Sequence, residues 1–220
     1  MQCFVLYNLF VLCLEIKPIE RSVEIMSNSF ALVSIDMQND FVLPGAPFAV
    51  GEAMSRIENM SKVLHFFRSK NLPVVHVCRR YRTDGSDVEL VRRSAFLDGT
   101  SRGVVENTEG AKIVQELSPS NNEYVIVKPR FSAFFATELD LLLRRLGIHT
   151  IVLIGVNTAN CIRSTAYDGI SLDYDVVVLA DATAAQTKAI TEYNLQDMAR
   201  IGIATPSFEE FRHSFNSLLA

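Results

Sequence analysis

Three residues with reactive side chains lie at or just beyond the ends of short apolar runs. Asp36 closes the run FALVSID, Lys128 closes YVIVK, and Cys161 lies shortly after TIVLIG. Short apolar runs without turn residues are typical of strands that are buried on both faces of a parallel sheet. Because such sheets bind ligands at the carboxyl ends of their strands, we expect the three side chains to meet at one edge.

These three residue types together can transfer an acyl group to water. Cysteine is nucleophilic as its thiolate, and a helix amino terminus or a nearby cation lowers the thiol pKa from about 8.5. Cys161 lies near the start of a predicted helix, and Lys128 is the candidate cation. Asp36 is the candidate general base, which takes the thiol proton, passes it to the leaving amine and then activates water. The turn from Gly155 to Cys161 can present backbone N–H groups to the oxyanion.

The apolar runs alternate with amphipathic segments, which predicts repeated strand–helix–strand units. The predicted strands span 30–36, 74–78, 124–128, 150–155, 175–180 and 201–204. The predicted helices span 51–70, 137–146, 159–171 and 188–199, with a last helix after Pro206. The fold class is therefore α/β, a three-layer Rossmann-like open sheet of about six mainly parallel strands with helices on both faces. The long polar segment 79–110 is predicted to be irregular and to contact the substrate.

The composition favours a single domain that acts on a small molecule. Of the 220 residues, 49% are hydrophobic and 21% are charged, which allows one substantial core. The formal net charge of -4, with Lys and Arg scattered along the chain, argues against nucleic-acid binding. The cysteines Cys3, Cys13, Cys78 and Cys161 form no CxxC pair. Their spacing argues against a disulfide framework and a structural zinc site, and favours a reducing compartment.

The amino-terminal segment differs from the rest of the chain. Residues 1–14 (MQCFVLYNLFVLCL) are strongly apolar, and two interpretations stay open. A secretory signal would have basic leading residues and a small-x-small cleavage pattern, and this segment has neither. We favour residues 1–25 as an extension outside the core and residues 26–220 as the folded domain, with the cytoplasm as the default location. Apolar stretches in the body fall far short of the ~20 residues that a membrane-spanning helix needs, so no membrane association is expected.

Three segments resemble the isochorismatase-like cysteine hydrolases. They are ALVSIDMQNDFV at 31–42, VKPRFSAFFAT at 127–137 and GVNTANCIRSTAYDG at 155–169, within a matching frame from Phe30 to Phe211. The resemblance implies that Asp36 is the base, Lys128 its partner and Cys161 the nucleophile. It also implies a cis peptide bond between Val156 and Asn157, and an oxyanion hole built from the N–H groups of Asn157 and Cys161.

Features within the family narrow the expected reaction. Members that cleave amides and ureides keep the cysteine, so Cys161 implies carbon–nitrogen bond hydrolysis with release of ammonia or an amine. The segment KPRFSAFFATELDLLLRRLGI is most similar to the ureidoacrylate, biuret and N-carbamoylsarcosine hydrolases. The nicotinamidase branch binds a metal through an Asp-x-His motif that this sequence lacks, so we expect no metal and no other cofactor. The resemblance further implies a homo-oligomer, either a dimer or a tetramer.

Four further residues are candidates for binding the substrate. Gln38 belongs to the same motif as Asp36 and is a candidate site contact. Phe41 and Phe134 are candidate walls of the pocket, although ordinary core packing explains them equally well. Arg79 follows the second predicted strand, where a guanidinium can bind a carboxylate with two hydrogen bonds.

Two other functions stay open at this stage. An isochorismatase-type ether hydrolase would depend on Asp36 and tolerate the loss of Cys161. A member of the family without catalytic activity would use the fold as a binding module, or would use Cys161 to sense oxidants.

Overall fold

The structure is a computed structural model that describes residues 29–218. The proposed extension 1–25 lies outside the described residues, as do Cys3 and Cys13. No helix within residues 29–218 is long and apolar enough to span a membrane.

Five parallel strands form one sheet in the order β3-β2-β1-β4-β5. The strands are β1 (Phe30–Ile35), β2 (Val74–Arg79), β3 (Tyr124–Lys128), β4 (Thr150–Val156) and β5 (Asp175–Ala184). The α/β fold class and the parallel sheet are confirmed. This order places β1, and with it Asp36, at the centre of the sheet.

The expected sixth strand at 201–204 is wrong. Ala204 makes only an isolated parallel bridge with Val177. The chain continues along β5 for a short distance, since Ala180 N donates to Pro206 O. Pro206 has no backbone N–H and cannot return a hydrogen bond, so a regular ladder does not develop.

Seven α-helices lie within the described residues. They are α1 (Asn39–Val42), α2 (Ala53–Ser69), α3 (Leu90–Leu97), α4 (Leu139–Arg145), α5 (Arg163–Ser171), α6 (Lys188–Arg200) and α7 (Phe208–Leu218). A π-helical turn, Thr158–Ile162, precedes α5 and contains Cys161. Helix α3 lies in segment 79–110, which the sequence predicted to be irregular.

The two faces of the sheet carry two separate cores. Alternate residues of β1 point to opposite faces. Leu32 packs with residues of α2 and α7 on one face, while Val33 packs with residues of α4, α5 and α6 on the other. A third, smaller apolar cluster around Tyr81 and Phe96 shapes segment 79–110. This small cluster explains why α3 forms there, since Phe96 is the buried residue of that helix.

Gly155 permits the close pairing of β4 with β1 next to the carboxyl end of the sheet. Gly155 is paired with Ile35, which directly precedes Asp36. A Cβ atom at position 155 would lie 2.2 Å from the carbonyl oxygen of Ile35, and the φ angle of Gly155 is +113°. Glycine alone adopts this φ angle without strain. The position of Asp36 therefore depends on the absence of a side chain at 155.

We predict that Gly155→Ala lowers the free energy of unfolding by at least about 2 kcal/mol, since the new Cβ meets the backbone of β1. Urea denaturation measures the loss. Gly202→Ala is the matched control, because Gly202 has a φ angle of +97° and no atom within 4 Å of the added Cβ. Equal destabilisation by the two substitutions would show that backbone strain, and not the contact with Ile35, limits position 155.

Candidate active site

The structure brings Asp36, Lys128 and Cys161 together at the carboxyl edge of the sheet. Lys128 Nζ lies 2.8 Å from Asp36 Oδ2 and 3.4 Å from Cys161 Sγ. It also donates a hydrogen bond of 3.1 Å to the carbonyl oxygen of Arg130. Lys128 and Asp36 are fully buried, and 6% of Cys161 is exposed. The ammonium group thus bridges a carboxylate and a thiol in a site from which water is largely excluded.

The electrostatic surroundings keep the Cys161 thiol protonated at neutral pH. Burial, followed by the negative charge of Asp36, raises the pKa of Cys161 to about 11. The positive charges of Lys128 and Arg79 oppose this rise without cancelling it. Asp36 Oδ1 is buried and has no hydrogen-bond partner among the described residues, so it is available to accept a proton.

The turn that follows β4 places backbone groups beside the thiol. The peptide bond between Val156 and Asn157 is cis. Asn157 caps the π-helical turn, because its side-chain oxygen accepts a hydrogen bond of 3.0 Å from Ala159 N. Asn157, Asn160 and Cys161 all line the same pocket. The two residues expected to form an oxyanion hole are therefore neighbours on one wall.

This pocket has a volume of about 280 Å³, which suits a small molecule. The pocket is lined by Asp36, Phe41, Pro47, Phe48, Ala49, Val50, Arg79, Arg92, Phe131, Asn157, Asn160, Cys161 and Gln186. Gln186 supports residues 47–50 of this lining, since its side-chain amide donates a hydrogen bond of 3.1 Å to Ala49 O. A larger cavity lies at the opposite end of β2 and β3 and contains none of the three reactive residues.

The four expected substrate-binding residues divide into two pairs. Phe41 and Arg79 line the pocket, whereas Gln38 and Phe134 are absent from its lining. The buried side chain of Gln38 donates to Arg79 O and accepts from Arg79 N, and both hydrogen bonds are 2.7 Å long. Gln38 therefore fixes the backbone of Arg79. Phe134 stacks on Tyr174 with ring centroids 5.7 Å apart and belongs to the core.

The guanidinium of Arg79 is buried within a network of its own. Its Nη1 atom donates to Glu89 Oε1 and also to the hydroxyl oxygen of Tyr81. The second of these hydrogen bonds is 3.0 Å long. The Tyr81 hydroxyl donates to Glu89 Oε2. Burial by itself raises the pKa of Glu89, but the hydrogen bond from Tyr81 and the charge of Arg79 outweigh it and hold the pKa below its usual value. Glu89 therefore stays ionised and neutralises Arg79.

Sequence reasoning did not identify several residues of the pocket and its support. The sequence indicates Glu89 only indirectly: a buried arginine at a strand end requires a carboxylate partner, and Glu89 is one of the acidic residues that follow Arg79. No pattern in the sequence identifies Phe48, Phe131 or Arg92 as residues of the pocket. Arg92 and Arg93 are adjacent on α3, and only the tertiary structure shows that Arg92 lines the pocket.

The histidines lie away from the pocket lining. His76, inside β2, is buried and lies 2.9 Å from Glu123 Oε2, and Glu123 forms an ion pair with Arg68. Across residues 29–218, no group of three or more His, Cys, Asp and Glu residues is placed to hold a metal ion.

Comparisons with known proteins show the family of this chain. Residues 30–209 match the family model described as Isochorismatase domain. The chain is 42% identical over 183 residues to a probable inactive nicotinamidase of Arabidopsis thaliana, covering 82% of this chain and 93% of the relative. It is 31% identical over 172 residues to the ureidoacrylate amidohydrolase RutB of Serratia proteamaculans, covering 70% of this chain and 68% of the relative.

A solved structure shows the same architecture. It is that of an isochorismatase family protein from Desulfovibrio vulgaris, which is 45% identical and superimposes with a TM-score of 0.82. The match covers 86% of this chain and 99% of the other.

We predict that Glu89→Gln lowers the free energy of unfolding at pH 7 by about 3 kcal/mol, because it leaves the buried charge of Arg79 without a partner. Tyr81→Phe is the control and costs about 1 kcal/mol, since it removes a single hydrogen bond. Urea denaturation at several pH values measures both.

The pH dependence follows from the lowered pKa of Glu89. A lowered carboxyl pKa stabilises the folded protein above the unfolded-state pKa, near 4.5. The advantage of the wild type over Glu89→Gln should be complete above that pH and shrink as the pH falls through the lower folded-state pKa. An advantage that stays constant down to acidic pH would contradict the assignment of this charge pair.

Proposed function

Since this chain belongs to the isochorismatase family, we propose that it is an amidohydrolase that cleaves a C–N bond of a small amide or ureide with Cys161 as the nucleophile. One observation carries the proposal: the ammonium of Lys128 lies within 2.8 Å of the Asp36 carboxylate and 3.4 Å of the Cys161 sulfur. Asp36 and Cys161 line a pocket of about 280 Å³, and the buried Lys128 contacts both of them.

In the first half of the reaction, Asp36 removes the proton of the Cys161 thiol as the sulfur attacks the substrate carbonyl. Proton removal must accompany the attack, because the pKa of Cys161 is raised to about 11 and little thiolate exists beforehand. The proton then moves from Asp36 to the leaving nitrogen. The C–N bond breaks, ammonia or an amine departs, and a thioester remains on Cys161.

In the second half, a water molecule gives a proton to Asp36 and its oxygen attacks the thioester. The C–S bond breaks, the sulfur regains the proton, and the acid leaves. Lys128 stays charged in both halves. It orients the Asp36 carboxylate and stabilises negative charge that appears on sulfur.

The remaining candidates take roles around these steps. The N–H groups of Asn157 and Cys161 are proposed to donate to the carbonyl oxygen as it gains negative charge, which contributes about 3 kcal/mol per donor in other hydrolases. Phe41 covers one side of the substrate, and Arg79, which Glu89 neutralises, lines the same cavity. Gln38 acts indirectly by holding the backbone of Arg79.

The relatives and the cysteine support ureides and amides as the proposed substrate class. The RutB relative is a ureidoacrylate amidohydrolase, and ureides are therefore the first compounds to test. The Arabidopsis relative is described as a probable inactive nicotinamidase, so nicotinamide is the informative negative compound.

We predict that purified protein releases ammonia from a ureide or simple amide, and that Cys161→Ala lowers kcat/KM by at least about a thousandfold. Cys78→Ala is the matched control. Cys78 is the other free cysteine of residues 29–218, is also buried, and does not line the pocket. Ammonia release that survives Cys161→Ala would overturn the role of Cys161 as nucleophile and indicate hydrolysis driven by Asp36. No ammonia release from any amide or ureide tested would indicate the ether hydrolase or a binding or redox role.

Asp36→Asn should separate thiol reactivity from turnover. The charge of Asp36 raises the pKa of Cys161, so its removal lowers that pKa and increases the thiolate fraction between pH 7 and 9. We expect faster alkylation of Cys161 by iodoacetamide together with loss of ammonia release, because the base is gone. Asp175→Asn changes the net charge equally at an exposed site and should alter neither. Slower alkylation in Asp36→Asn would refute the electrostatic role of the carboxylate.

A further inference from the structure

Arg92 contributes a positive charge to the pocket that no acidic group of the described residues neutralises. Three charged side chains line the pocket: Asp36, Arg79 and Arg92. Asp36 pairs with Lys128, and Arg79 pairs with Glu89. Among residues 29–218, no carboxylate lies within ion-pair distance of Arg92. The pocket and its supporting pairs therefore carry one uncompensated positive charge.

Two aromatic rings hold the guanidinium of Arg92 without using its hydrogen-bond donors. Its Cζ atom lies over the ring of Phe131 at 5.0 Å from the centroid and over the ring of Phe48 at 5.8 Å. Such contacts engage the flat faces of a guanidinium. Its five N–H donors point outward in the plane of the group, in a fork that matches a carboxylate. Both rings also line the pocket, so the fork is held at the cavity wall.

Arg79, the arginine that the sequence singled out, is less available. Its guanidinium donates to Glu89 and Tyr81, and its backbone is fixed by Gln38. A substrate anion at Arg79 would compete with a carboxylate that is already paired. At Arg92 an anion meets a guanidinium that no acidic group of residues 29–218 neutralises and whose N–H donors are free.

We propose that Arg92 binds a carboxylate of the substrate, so that this enzyme acts on small amides or ureides that carry an acid group. This inference rests on the proposed function and names the class of compound within it. A cavity of about 280 Å³ fits a short acid, in which a few atoms separate the carboxylate from the scissile carbonyl. Arg92 is a specificity residue in this scheme, and Asp36, Lys128 and Cys161 perform the chemistry.

The test compares two alkylating reagents of the same shape and different charge. Iodoacetate carries a carboxylate, iodoacetamide is neutral, and both transfer their methylene carbon to the sulfur with loss of iodide. The measured quantity is the ratio of their rates at Cys161, followed by mass spectrometry of the modified peptide and divided by the same ratio for N-acetylcysteine. Because both reagents require the thiolate, this ratio cancels any change in the pKa of Cys161.

We expect wild-type protein to favour iodoacetate relative to the free thiol, and Arg92→Gln to reduce the normalised ratio by about tenfold, as one lost charge-assisted pair predicts. Arg92→Lys keeps the charge but not the fork and should give an intermediate ratio. Arg93→Gln is the matched control, because Arg93 is the next residue of α3, is exposed and does not line the pocket. It should leave the ratio unchanged.

The outcomes separate this inference from the function on which it rests. A ratio that is the same in wild type and Arg92→Gln overturns carboxylate binding by Arg92, while loss of ammonia release in Cys161→Ala would still support the amidohydrolase. A ratio that falls equally in Arg93→Gln also overturns it, since bulk charge would then explain the preference. No alkylation of Cys161 by either reagent would overturn carboxylate binding in this cavity, since an anion held at Arg92 would then not reach the sulfur, while ammonia release in Cys161→Ala would still test the amidohydrolase.

Discussion

The buried ammonium of Lys128 is the group on which the arrangement of this site depends. A lysine that is fully excluded from water is stable in its charged form only beside a negative partner and additional acceptors. Asp36, the Cys161 sulfur and the carbonyl oxygen of Arg130 supply these contacts. They come from three strand ends, and the strand that carries Lys128 lies at the edge of the sheet, two positions from β1. The strand order must therefore be correct before this charge can be buried.

The same constraint explains why the thiol is held in its neutral form. The aspartate that stabilises Lys128 also raises the pKa of Cys161, and burial raises it further. A single ammonium cannot fully stabilise both a carboxylate and a thiolate in a site with little water. The resting site accordingly contains one ion pair and one thiol, and a thiolate becomes favourable when a proton moves to Asp36. Electrostatics thus couple the formation of the nucleophile to the presence of a base.

A second buried ion pair, between Arg79 and Glu89, supports another part of the pocket lining. Gln38 connects this ion pair with the reactive residues, because it follows closely on Asp36 in sequence and fixes the backbone of Arg79. The small apolar cluster around Phe96 then anchors α3, which carries Arg92 to the cavity wall. Segment 79–110 is therefore a folded wall of the pocket, built on its own ion pair and its own small core.

The sequence by itself determined the parallel α/β architecture, the family, and the coincidence of Asp36, Lys128 and Cys161, because strand-length apolar runs and strand-end residues are local signals. Tertiary structure decided the contacts that depend on distant partners. The run 201–204 has strand-like composition but stays an isolated bridge, since Pro206 cannot extend the ladder. Gln38 and Phe134 lie outside the pocket lining because a backbone partner and Tyr174 engage them. Arg92 and Arg93 are equivalent in sequence, and only the packing of α3 against Phe48 and Phe131 distinguishes them. Contacts between residues that are far apart in the chain produce no periodic pattern in the sequence, and for that reason only the tertiary structure shows them.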